Sequence, residues 1–192
     1  MNKMKKWSRG IYIVSIVAQA AFFIFAAAMA VFAVLSVVQK NSFGSFIISL
    51  NGGDAVVGTN GFQISIADGS GNVIPSALTA VCIVGIITMF FTGMIFRNLG
   101  LIFKIVQKGG ERMDGESFFS TDVIRLVREI GYFCIAIPAV EFIAGVAFRL
   151  LAGELCEISV QLNGFIFGFA VLCLSQFFSY GMKLEQEIEG LV

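Results

Sequence analysis

Glu141 is the residue whose type and position most suggest chemistry. It is the only charged side chain in the run "IGYFCIAIPAVEFIAGVAF". A charge at that depth in a bilayer costs about 2.5–3.5 kcal/mol on insertion scales, so such a group faces the protein and is paired or protonated. Three roles are open to it: holding a proton, binding a cation, or bonding to amides in a polar layer that fixes helix register. Counted from the ends of the apolar runs, Gln19 and Gln176 fall at broadly similar depth, and the three residues are expected to form one intramembrane layer.

The other reactive side chains offer less. Carboxylates recur in "ERMDGE" and "EQEIE", both of which read as solvated polar segments. The chain has no histidine and no CxxC pair; Cys82, Cys134 and Cys173 lie in apolar runs and Cys156 stands alone. Zinc and haem sites of the usual ligand types lack donors, and no metal or cofactor is expected. GxSxG, Walker-type and HExxH patterns are missing as well. The expectation is a protein that is not an enzyme.

The elements that must position Glu141 follow from charge distribution. Only 14% of the 192 residues are charged and 57% are hydrophobic, against about 25% charged in soluble domains. Four stretches are nearly free of charge, and a spanning helix needs roughly 20 apolar residues. The expected architecture is mainly α: a single integral-membrane domain over 1–192 forming a four-transmembrane-helix bundle. Its spans lie near 11–38, 76–103, 127–149 and 160–182. The first apolar run extends past both candidate cleavage sites, "AQA" and "AAAMA", so it reads as a retained anchor rather than a signal peptide. With the N-terminus in the cytoplasm, only Lys40 and Arg149 of the 13 basic residues fall outside. Charge bias of this kind sets orientation, and both termini are expected on the cytoplasmic side of a bacterial inner membrane.

Between the first two spans, 40–75 changes character. In "FQISI", Phe62, Ile64 and Ile66 alternate with Gln63 and Ser65, and Asn51-Gly52, Asp68-Gly69 and Gly71-Asn72 mark turns. Period two predicts strands, here a small extracytoplasmic β-hairpin or meander that also draws on the earlier run "SFIISL". On the other side, "NLGLIFKIVQKGG" reads as the second helix leaving the lipid, and 104–126 as a cytoplasmic loop. Ser120 or Thr121 can cap the next helix, with Asp122 in its first turn. Pro138 is expected to kink the third span. Gly164 and Gly168 form a GxxxG, and Ala26 and Ala30 a second small pair, suited to close helix packing. The tail, 183–192, is acidic. With the basic loop it makes a candidate docking surface of Arg112, Arg125, Arg128, Glu185, Glu187 and Glu189, for its own loop or for a cytoplasmic partner.

"NLGLIFKIVQKG", "ESFFSTDVIRLVREIGYF" and the C-terminal "GFIFGFAVLCLSQFFSYGMKLEQEIEGLV" resemble a bacterial integral-membrane family, domain of unknown function 2975. The matching positions are Phe118, Leu126, Ile130 and Gly131, then Phe177, Phe178, Gly181, Leu184, Glu185 and Glu187, and the likeness covers roughly residues 80–192. The family more often has a basic pair where Ser179 and Tyr180 stand. The resemblance implies four spans, no established activity, and a place beside small helix-turn-helix regulators of the Cro type. The leading expectation is therefore a non-enzymatic sensor or regulatory partner of a cytoplasmic transcriptional regulator, itself binding no nucleic acid and open to homo-oligomerisation. The rivals are a small transport or antimicrobial-peptide immunity protein with Glu141 in its pathway, and a structural subunit of a membrane complex.

Overall fold

The structure is a computed structural model that describes residues 2–38, 56–67, 74–109, 121–153, 156–160 and 162–189. It is mainly α, a bundle of four long helices: α1 Asn2–Val38, α2 Pro75–Gly109, α3 Thr121–Ala152 and α4 Leu162–Glu189. All four are long and apolar enough to cross a membrane.

Their ends follow local chemistry. Pro75 opens α2, where its missing N–H costs nothing. Asp122 lies in the first turn of α3 and Arg149 in the last, each with the sign the helix dipole favours. Gly153, at φ +61°, then takes the left-handed conformation that ends many helices. α3 runs through Pro138, whose ring leaves the Cys134 carbonyl without its helical donor. The helices that flank the expected 104–126 loop extend into it, so 104–109 and 121–126 are helical.

A three-stranded antiparallel sheet is formed by β1 Val56–Gly58, β2 Phe62–Ser65 and β3 Cys156–Ile158, in the order β1-β2-β3. Two strands come from the segment between α1 and α2, and the alternation in "FQISI" is realised: Phe62 and Ile64 are buried while Gln63 is exposed. The third strand was not anticipated. It comes from the connection between α3 and α4 and pairs Phe62, Gln63 and Ile64 with Ile158, Glu157 and Cys156. The run "SFIISL" lies outside the described residues.

The chain divides into two compact units. One holds both termini, with 1–21, 92–135 and 163–192, and draws on all four helices. Val123, Ile124, Leu126, Val127 and Ile130 of α3 are its buried apolar face. The other holds 22–91 and 136–162, in which three helices are joined by the sheet. Phe62, Ile64, Ile66 and Cys156 of the sheet segment pack with Ala77, Leu78, Val81 and Val84 of α2, flanked by Val140, Ala144 and Phe148 of α3. Burying the apolar face of so small a sheet against helices provides the stability that isolated strands lack.

Candidate functional site

In the sheet unit, polar chemistry converges on the tip of the β1–β2 hairpin. Gly58 pairs with Gln63, and the Thr59 N–H donates to the Phe62 carbonyl at 2.9 Å, leaving Asn60-Gly61 as the turn. α3 receives this tip. Glu141 is 6% exposed, and its carboxylate accepts hydrogen bonds from the Thr59 hydroxyl and the Gly61 N–H. One turn further on, a Cβ added to Gly145 would lie 2.9 Å from the Phe62 Cβ, so the missing side chain is what admits the strand. The Phe62 and Phe148 rings then meet edge to face, centroids 5.2 Å apart. At the end of α3, Arg149 donates to the Cys156 carbonyl at 2.7 Å. The tip is closed from the other side by Ser159, whose N–H donates to the Gly61 carbonyl and whose hydroxyl donates to that of Asn60.

The expected burial of Glu141 is thus present, with different partners from those expected. The hydrogen bonds described for it come from the hairpin. Gln19 is half-buried and Gln176 exposed, both in the unit that holds the termini. The physical reason is that a hairpin can bring an N–H and a hydroxyl to a buried carboxylate at once, a possibility that counting residues along helices does not register. A signal for it existed. Asn60-Gly61 stands between two short apolar stretches, a hairpin pattern that the neighbouring turn dipeptides overshadowed.

The second polar focus lies in the terminal unit. Asn98 of α2 is 0% exposed and donates at 2.9 Å to Glu129 of α3, whose other oxygen is 3.6 Å from Arg125. Asn98 Oδ1 and Arg128 Nε are buried with no hydrogen-bond partner among the described residues. Ser15 and Ser175 are also buried and donate back to the carbonyls of Ile11 and Leu172 in their own helices. Asn98 was not singled out from the sequence, since one asparagine between Arg97 and Leu99 resembles an interfacial residue.

Of the expected packing pair, Gly168 is buried at an α3–α4 contact: a Cβ there would lie 2.6 Å from Ile135 Cγ1 and 3.0 Å from the Gly131 carbonyl oxygen. Gly164 is half-buried. Of the expected docking residues, Arg125 and Glu187 are exposed, and Arg128 and Glu185 half-buried. Arg112 lies outside the described residues, as does the side chain of Glu189. Cys156 is buried, and loss of hydration pushes its thiol above the usual range against a smaller opposite pull from Arg149. No family model, no curated protein and no solved structure matches the chain.

Proposed function

We propose that the chain is a non-enzymatic regulatory protein of a bacterial inner membrane, with both termini in the cytoplasm and the sheet outside. In this reading it reports the state of the sheet to a cytoplasmic helix-turn-helix transcriptional regulator. Orientation rests on the basic residues, all but Lys40 and Arg149 of which fall on the side of the termini. The observation that carries the functional reading is the composition of α3. That one helix supplies Glu141, Gly145, Phe148 and Arg149 to the sheet, and Arg125, Arg128 and Glu129 to the unit that holds the termini. An element that contributes side chains to both sites can couple them if it has two states that each site biases.

The regulator would dock on Arg125 and Arg128 together with the acidic end of α4, where Glu187 is exposed. Removing Glu185 to Val192 tests this. The truncated protein should still insert in the membrane, while recovery of a DNA-binding regulator with the affinity-purified protein should be lost. Equal recovery from the full-length and truncated proteins would refute the docking role of the tail.

A further inference from the structure

The sheet unit brings two incompatible surfaces together. On α1 it exposes Ile24, Phe25, Val31, Val34 and Val37, and on α3 Ile143, Leu150 and Leu151, a surface suited to lipid tails. The sheet in the same unit exposes Asn60, Gln63, Glu157 and Ser159. Hydrocarbon tolerates neither open strand edges nor irregular polar backbone, except where protein buries them or where they line a water-filled cavity. The exposed face of the sheet must therefore meet water.

That face carries a shallow, open cavity of about 390 Å³ lined by Val56, Gly58, Thr59, Asn60 and Gln63. Three of its lining side chains are neutral hydrogen-bonding groups, and at Gly58 the backbone of Phe62 and Gln63 comes so close that it leaves no room for a Cβ. β3 pairs Gln63 directly with Glu157, and directly opposed residues of an antiparallel pair share a face. Glu157 is exposed and makes no ion pair among the described residues, so it sets a negative charge beside the cavity. Thr59, which lines the cavity, also holds the carboxylate of Glu141.

We infer that this cavity is a water-filled binding site for a small, hydrogen-bonding solute that carries an ammonium group, with Thr59, Asn60 and Gln63 as its polar wall and Glu157 as the charge that selects a cation. The inference rests on the reading of the sheet as the receiving element, and it gives that element a ligand class. A ligand seated on Thr59 would compete with the hydrogen bond to Glu141, which links occupancy of the site to the hold of α3 on the hairpin.

Thiol labelling in membrane vesicles of both orientations tests the site without reference to any regulator. Gln63→Cys, in a background with the exposed Cys173 replaced by serine, is treated with cationic trimethylammonioethyl or anionic sulfonatoethyl methanethiosulfonate. A unit charge at about 6 Å in water changes each rate by about threefold, in opposite directions. The cation-to-anion ratio should therefore exceed that of a free thiol by roughly tenfold at low salt, and Glu157→Gln should return it to the free-thiol value. If Gln63→Cys fails to insert, Asn60→Cys carries the same test. No modification of either variant from either side would overturn the aqueous site, and a free-thiol ratio indifferent to Glu157→Gln would overturn its cation preference. Modification confined to the cytoplasmic side would overturn the proposed orientation and support the site itself.

Discussion

Gly61 in the hairpin turn lies against Glu141 in α3 so closely that a Cβ on Gly61 would be 2.5 Å from the Glu141 Cβ and 3.1 Å from its carbonyl carbon. The missing side chain lets the Gly61 N–H reach the carboxylate. Gly61→Ala must push the turn away from α3, at a cost of roughly 1–3 kcal/mol for overpacking. Gly10→Ala is the control, since nothing lies within 4 Å of that position; helix preference there should leave stability unchanged or raise it by about 0.5–1 kcal/mol. Thermal unfolding in detergent compares the two.

Glu141 itself separates into two substitutions. Glu141→Gln keeps an acceptor oxygen for Thr59 and Gly61, and should cost less than about 1 kcal/mol. Glu141→Leu takes the acceptor from the Thr59 hydroxyl and leaves the buried Gly61 N–H only its 3.3 Å contact with Thr59 Oγ1, which costs about 1–3 kcal/mol if that N–H goes unsatisfied. Limited proteolysis of the hairpin should accelerate in Glu141→Leu and stay near wild type in Glu141→Gln. Equal protection in all three proteins would remove Glu141 from the anchor.

The α3–α4 contact makes an asymmetric forecast for two glycines. A Cβ at Gly131 would meet chiefly the side chain of Leu172, at 2.7 Å, which can change rotamer. A Cβ at Gly168 would crowd Ile135 Cγ1 at 2.6 Å and backbone atoms of Gly131 and Ile135 at 3.0 and 3.1 Å. Gly168→Ala should therefore destabilise the detergent-solubilised protein more than Gly131→Ala. The reverse order of melting temperatures would contradict the described packing.

Asn98 and Glu129 should be coupled. Hydrogen bonds between membrane helices measured by double-mutant cycles average about 0.6 kcal/mol, with a maximum of about 1.7. Asn98→Ala, Glu129→Ala and the double variant should give an interaction energy in that range. Additive effects would show that the 2.9 Å contact contributes no stability.

Much of the fold was legible because its signals are local. Long charge-free runs give the four helices, Asp122 and Thr121 give the start of α3, and the alternation of Phe62, Gln63 and Ile64 gives β2 with the correct buried face. Less local features were not legible. β3 is three residues long, "CEI", too short to show a period, and it joins the sheet across roughly ninety residues of chain. The partners of Glu141 lie about eighty residues away, in a turn whose approach depends on the glycines at 61 and 145. Burial of the glutamate could be read from the cost of exposing it to lipid; the identity of its donors required the tertiary fold.

The most direct test of coupling through α3 is recovery of the cytoplasmic regulator by the Glu141→Leu protein with its tail intact. Glu141 belongs to the sheet unit, and the proposed docking residues belong to the other, so direct contact between Glu141 and the regulator plays no part in the proposal. If α3 couples the sheet to the docking surface, Glu141→Leu should change regulator recovery several-fold while membrane insertion and protein level match wild type, and Glu141→Gln should recover the wild-type amount. Identical recovery by wild type and Glu141→Leu, with the hairpin demonstrably loosened in the latter by proteolysis, would contradict a relay from the sheet to the cytoplasm.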